Sequence, residues 1–224
     1  MLTLAFDTST TIGSVALGRG DEVLGASNLP LGVGYSETIL KEVSRLLSGA
    51  NLQPRDIDRL VVGSGPGSFT GVRIAASLAK GWCHRRDVPL YAYSSLRAVA
   101  ATVEHPCVCV LFDARRGEVY AEAYDDGPFS GPVLGPLVCP VELVLSQLDP
   151  TMVWVFAGEG SLKHRDQIEA SGAKVLSGDL KLPPAAALLW LAERLPEGCL
   201  EDLDAWEPNY LRASGAERER DRNA

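Results

Sequence analysis

Between Gly65 and Arg73 the sequence reads GPGSFTGVR, directly behind the short apolar run Leu60-Val61-Val62-Gly63. A helical pattern follows from about Thr70 to Arg86, so a strand enters a glycine-rich turn and leaves it as a helix. The standard phosphate loops do not fit this turn. A Walker-type loop places its second glycine five residues after the first, followed by Lys and Ser or Thr. Counting five from Gly65 reaches Thr70, counting five from Gly67 reaches Val72, and the run contains no Lys. The dinucleotide fingerprint needs a glycine at position 70, which is Thr70, and Pro66 removes a backbone donor. What remains is a helix start: Ser68 or Thr70 can cap it, and free N–H groups there attract anions. Arg73, in the first turn, opposes the helix dipole by some ~0.3–1 kcal/mol. Its partner is a carboxylate, a phosphate, another protein or plain solvent.

Within that helix Arg73, Ser77, Lys80 and His84 form one narrow polar stripe, and Val72, Ile74, Ala75, Ala76, Leu78, Ala79, Trp82 and Cys83 surround it. A helix apolar over most of its circumference is buried on more than one side. One side faces its own sheet; the other is covered by the chain's own helices or by a second protein, which the small residues Ala75, Ala76, Ala79 and Gly81 would let approach closely.

Upstream, LAFDTST ends a strand at Asp7-Thr8-Ser9, and IGSVALGRGDEVLGASN reads as a hairpin turning at Gly18-Arg19-Gly20-Asp21. Tyr35 to Gly49 has Ile39, Leu40, Val43, Leu46 and Leu47 at helical spacing, with Ser36 as the expected N-cap and Gly49 as the stop. With strand PLYAYS and helix SLRAVAATVE, the first hundred residues read β-β-β-α-β-α-β-α, an α/β unit in which helices pack on a mixed sheet. A second unit is expected from 104 onward. It has strand CVCVLFDA, turn RRG, strand EVYAEAYD, a Gly/Pro-rich loop through Pro136, strand MVWVFAG, and helices near 161–171 and 184–195. The polar tail from about 213 is expected to be disordered. No internal repeat is legible.

Of the 224 residues 46% are hydrophobic and 22% charged, the composition of a soluble globular chain. No apolar run reaches the ~20 residues of a membrane span, and no secretory leader pattern opens the chain. The formal charge of −8 argues against nucleic-acid binding by this chain alone. The five cysteines form no CxxC pair, and Cys107 and Cys109 read as buried reduced thiols of a cytoplasmic protein. His84, His105 and His164 are scattered, so no metal site is expected.

LAFDTST, SVAL, GSGPGSFTGVRIAASLAKG, SSL and DARRGEVY together resemble the TsaB (YeaZ) family of the tRNA threonylcarbamoyladenosine system, specifically over residues 1–125 and thereafter mainly through EPNYLR. The resemblance implies a two-lobed actin/hexokinase/Hsp70-like α/β fold, with lobes at 1–103 and 104–224. It implies a non-catalytic platform that pairs with TsaD, the transferase acting on adenosine beside the tRNA anticodon. The ATPase TsaE joins the larger complex, tRNA is met indirectly, and the platform alone forms homodimers. The implied partner surface draws on Tyr35, Ser36, Ile39, Val43, Leu46, Val72, Arg73, Ala76, Ala79, Lys80 and Cys83. The catalytic relative's HxxxH metal pair has no counterpart here, and Tyr35 stands where many members carry His. Asp7, Thr8 and Ser9 sit where nucleotide-binding members of the fold place their first phosphate loop. They are either a vestigial nucleotide loop, with ADP or ATP at the lobe or subunit junction and no required cofactor, or a strand-end aspartate capping a turn. The alternative function is an ATP-dependent small-molecule kinase, with Asp113 as its tempting acidic residue. A metalloprotease would need ligands or a nucleophile–base set that the chain lacks.

Overall fold

The computed structural model describes residues 1–30, 35–176 and 184–212; the polar tail expected to be disordered lies outside them. Strands β1 (Leu2–Asp7), β2 (Ile12–Arg19) and β3 (Glu22–Pro30) form an antiparallel meander. Helix α1 (Tyr35–Gly49) leads to β4 (Arg59–Gly63), α2 (Phe69–Arg86) to β5 (Leu90–Tyr93), and α3 (Ser95–Ala100) follows. β4 pairs parallel with β1 and β5 parallel with β4, giving the order β3-β2-β1-β4-β5.

The second lobe repeats this plan. Its antiparallel strands are β6 (Val108–Arg115), β7 (Glu118–Tyr124) and β8 (Leu134–Pro140). After α4 (Val141–Gln147) comes β9 (Val155–Ala157), then α5 (Glu159–Lys163), α6 (Arg165–Ala170), β10 (Lys174–Val175) and α7 (Pro184–Arg194). The order β10-β9-β6-β7-β8 is that of the first sheet element for element, a duplication that the sequence does not disclose. The segment expected as a loop through Pro136 contains the start of β8, and the helix expected near 161–171 breaks at His164 into α5 and α6.

Alternation along β1 sorts side chains to the two faces of the first sheet. Leu2, Leu4 and Phe6 join Ile39, Val43, Leu46, Ala75, Ala79 and Cys83 in one core. Ala5, Ala16 and Val61 face Ala185, Leu188, Leu189 and Ala192 in another. Helix α7, read as completing the second unit, returns to pack on β1 and β2 of the first sheet. Helix α3 makes the reciprocal move, packing on β6 and β7. Helix α7 is apolar on nearly every side because it lies between this sheet and α3. The buried Arg59 on the first sheet is paired: its guanidinium donates to Thr3 Oγ1 at 2.8 Å and meets the Glu193 carboxylate of α7.

The helix ends follow backbone chemistry. Helix α1 already includes Tyr35, so Ser36 lies inside its first turn rather than capping it, and Gly49 is its last residue rather than the stop. The chain leaves at Asn51, whose φ of 55° is left-handed. Leu52 N–H bonds Leu47 O at 2.9 Å and Asn51 N–H bonds Ser48 O at 3.1 Å, the paired bonds of a Schellman ending.

The start of α3 meets a buried carboxylate of the second lobe. Ser94 caps α3, accepting from Arg97 N–H, and its hydroxyl donates to the Glu122 carboxylate on β7. Burial raises the pKa of Glu122 above the ordinary carboxylate range, against the lowering effect of that bond.

Two outcomes follow. Leu189→Ala removes a fully buried contact between α7 and the first sheet, and should lower unfolding stability by about 2–5 kcal/mol in urea titrations. Because Glu122 binds its proton more tightly folded than unfolded, its stabilising effect is complete below the ordinary carboxylate pKa and is lost as pH rises through the folded value. Glu122→Gln should therefore gain Tm relative to the parent on going from pH 4 to pH 7, measured calorimetrically; a pH-independent difference would contradict this.

Candidate functional site

At the ends of β1 and β4 the two loops singled out in the sequence close on each other. Thr8 Oγ1 donates to Gly71 O at 2.7 Å, and Ser68 N–H donates to Ser9 O at 2.6 Å. A Cβ added at Gly71 would stand 1.9 Å from Thr8 O, one at Gly67 2.3 Å from Ser9 O, and one at Gly63 1.6 Å from Asp7 Oδ2. The glycines are there because another stretch of backbone occupies the space a side chain would take. Ser68, of the two expected candidates, caps α2, its Oγ accepting from Gly71 N–H.

Asp7 is held in the same knot. Its Oδ1 accepts from Ser9 N–H at 2.7 Å and Ser9 Oγ–H at 2.6 Å, and its Oδ2 accepts from Ser95 Oγ–H. Ser95 Oγ in turn accepts from Gly65 N–H at 3.0 Å. Asp7 thus caps the turn that follows it and joins the two loops to the start of α3.

Beside this knot, between the lobes, lies a cavity of about 170 Å³ bounded by Asp7, Ser9, Ser95, Phe112, Glu159 and Leu162 among others. A nucleotide-sized ligand takes roughly 300 Å³ or more. Among the described residues lining it there is no Lys, Arg or His to meet a phosphate. Burial, reinforced by Asp113 and Asp7, raises the pKa of Glu159. Asp113, the acidic residue of the kinase alternative, accepts from Arg115 N–H at 2.8 Å and from Lys163 Nζ at 3.0 Å. As described, these residues do not fit a nucleoside triphosphate with its metal; among the described residues no three His, Cys, Asp or Glu side chains could hold a metal ion.

A larger concavity of about 400 Å³ opens on the outer side of the first lobe, where the start of α1 meets α2, lined by Ser36, Phe69, Arg73, Ile74, Ser77 and Leu78. The structure divides the expected partner surface. Tyr35, Ser36, Arg73 and Lys80 reach the outside. Ile39, Val43, Leu46, Val72, Ala76, Ala79 and Cys83 do not; they are buried within the chain, most in the core shared by α1, α2 and the sheet. The second covering of α2 is partly this chain's own C-terminal segment. Leu200, Leu203 and Trp206 pack on the same core, and Lys80 Nζ donates to Asp204 O at 3.1 Å beside the Trp206 ring. Burial pushes the Cys83 thiol up to about 12.

Sequence reasoning passed over Phe69. It is the first residue of α2, 37% exposed, with the Arg73 guanidinium 5.2 Å from its ring centroid. That contact gives Arg73 the partner its unfavourable place in the dipole called for. A large apolar residue inside a glycine and serine turn was the available signal.

Gly71→Ala should cost about 1–3 kcal/mol or more, since Thr8 O cannot move without tearing the knot. Gly81→Ala, on the same helix with nothing within 4 Å of the added methyl, should gain about 0.5–1 kcal/mol. Thermal melts of the two variants should move in opposite directions.

Three comparisons bear on ancestry. Residues 33–220 match the sequence model of TsaD, tRNA N6-adenosine threonylcarbamoyltransferase. The Bacillus subtilis (strain 168) tRNA threonylcarbamoyladenosine biosynthesis protein TsaB is 32% identical over 224 residues, covering 97% of this chain and 96% of that protein. Its Escherichia coli (strain K12) namesake is 33% identical over 220 residues, with 95% of each covered. The structure of YeaZ from Pseudomonas aeruginosa superposes with a TM-score of 0.76 at 28% identity, covering 94% of this chain and 99% of that one. The TsaD model and the TsaB relatives are two branches of one kinase-like fold, and identity along nearly the whole of both chains decides between them. The duplicated sheets are the two lobes of the actin/hexokinase/Hsp70-like fold, and the chain belongs to the TsaB family.

Proposed function

We propose that this chain acts in the cytoplasm as a non-catalytic platform in tRNA threonylcarbamoyladenosine formation. It binds TsaD and supports its transfer of the threonylcarbamoyl group to adenosine beside the anticodon. TsaE joins through the larger complex, tRNA is contacted through the partner, and the chain forms a homodimer when alone. The observation that carries the reading is the groove between α1 and α2. It is a concave patch with apolar walls, Phe69, Ile74 and Leu78, rimmed by Ser36, Arg73 and Ser77, on a chain whose relatives are named for this modification. An apolar floor with a polar rim is the anatomy of a protein interface. The cleft supports the non-catalytic part. Asp7 in its lining is engaged by Ser9 and Ser95, and Asp113 beside it by Arg115 and Lys163, so both carboxylates are occupied by the chain's own donors.

Neither Ala76 nor Ala79 can test this surface, because a bulky charge at either site would enter the core. Leu78→Glu can, since Leu78 lines the groove and is only partly buried against the core beneath it. Mixed with purified TsaD on size exclusion with light scattering, the parent should form a one-to-one complex, and Leu78→Glu, folded by circular dichroism though somewhat less stable, should bind at least about tenfold more weakly. Equal affinity of parent and variant would remove the groove as the docking surface.

A further inference from the structure

Near its C-terminal end the chain touches both lobes within four residues. Asn209 N–H donates to Ser64 O at 2.8 Å, and Asn209 O lies 3.3 Å from where a Cβ on Gly65 would stand, so the backbone is laid along the glycine turn. Tyr210 sets its ring against Phe69, with centroids 5.2 Å apart and planes inclined by 42°. Leu211 packs on the apolar cluster of α3 and the second sheet. Arg212 reaches the turn of the β6–β7 hairpin, where its guanidinium donates to Ala114 O and pairs with the Glu118 carboxylate. This segment carries EPNYLR, which the site geometry had left without a role.

Tyr210 and Phe69 are each 37% exposed, so their pairing adds little to any core. Its effect is to order. Phe69 stands at the first position of α2, 37% exposed and next to the glycine turn, and a free aromatic there would sample several rotamers. Stacking of Tyr210 on one side of the chain and the guanidinium of Arg73 on the next helical turn fixes its direction. Phe69 and Arg73 are also two of the groove's lining residues.

We propose that Tyr210 and Arg212 are positioning residues for the partner groove: Tyr210 holds Phe69 and Arg73 in the orientation that makes its wall, and Arg212 ties that wall to the hairpin of the second lobe. The position of the second lobe is thereby transmitted to the docking surface through a strap of three residues. Tyr210 is placed to act through Phe69, and Arg212 through Tyr210. This rests on the groove being the docking surface.

The test uses the full chain with Tyr210→Ala, Tyr210→Phe and Arg212→Ala, titrated calorimetrically against purified TsaD, with hydrogen exchange measured on each variant alone. Tyr210→Ala should weaken binding about three- to tenfold, the scale of one lost aromatic pair, at nearly unchanged Tm. Tyr210→Phe should restore the parent affinity, a rescue that a hydroxyl contact would not show. Arg212→Ala should weaken binding as well, and should speed exchange both at 113–118 and at the first turn of α2, 69–73. Parent affinity in Tyr210→Ala, or faster exchange in Arg212→Ala confined to 113–118, would overturn the proposal. If the parent itself fails to bind TsaD, the groove reading falls. The exchange pattern of Arg212→Ala alone then still decides the strap: coupled loss at both sites upholds it, loss at the hairpin only overturns it.

Discussion

Everything in the first lobe is organised around a contact between two pieces of backbone that leaves no room for a Cβ. The turn Asp7-Thr8-Ser9 lies against Gly63, Gly67 and Gly71, and the bonds from Thr8 to Gly71 and from Ser68 to Ser9 lock it there. Because β1 and β4 are neighbours in the sheet, this knot fixes where α2 starts and which way it points. Asp7 extends it to Ser95 and so to α3, the helix that crosses to the second sheet. A run that looks like a phosphate cradle is here a joint between strands. Its Gly65 and Ser68 amides donate to Ser95 Oγ and Ser9 O, and Asp7 in the neighbouring cleft is held by Ser9 and Ser95.

Much of this was legible beforehand, and the reasons are local. The meander, the glycine turn and the two long helices of the first lobe are written in short-range pattern: alternation, a two-residue turn, apolar spacing of 3.6. Caps were harder, because a capping residue is known only once the neighbouring backbone is placed; Ser68 rather than Thr70, and Asn51 rather than Gly49, were decided by geometry. The second lobe was read less well. Strand β9 was found within the run MVWVFAG, but β10 has two residues, too few for any period to show, and β8 carries Gly135 and Pro136, which read as loop. The duplication of the sheet is carried by pairing order, which leaves almost no trace in side chains beyond the shared Phe-Asp at the ends of β1 and β6.

The site shows the same division. Periodicity identified α2 as a helix covered on two sides, and that was sound, but periodicity does not say by what. The covering came largely from the chain's own sheet, α1 and the returning segment around Leu200, Leu203 and Trp206, more than a hundred residues away in sequence and invisible to any window. Ala76, Ala79 and Cys83 belong to that internal packing, whereas Phe69, a single apolar residue in a turn with no period to announce it, stands on the surface. Internal burial and partner burial look alike in a sequence; only the fold separates them.

The exchange of α3 and α7 between the sheets bears on how the chain comes to exist. The inner face of the first sheet is closed by α7, and Ser14 accepts a bond from Ala185 N–H across 171 residues. During synthesis the first lobe therefore leaves the ribosome with one face bare, and it stays so until α7 has been made. At about 5–20 residues per second that interval lasts roughly 5–20 seconds. The lobes are separate in architecture but not in biogenesis. A truncated chain ending after the first lobe would present the Ala5, Ala16 and Val61 face to solvent, so the two halves form a single cooperative object in which α7 completes the first sheet.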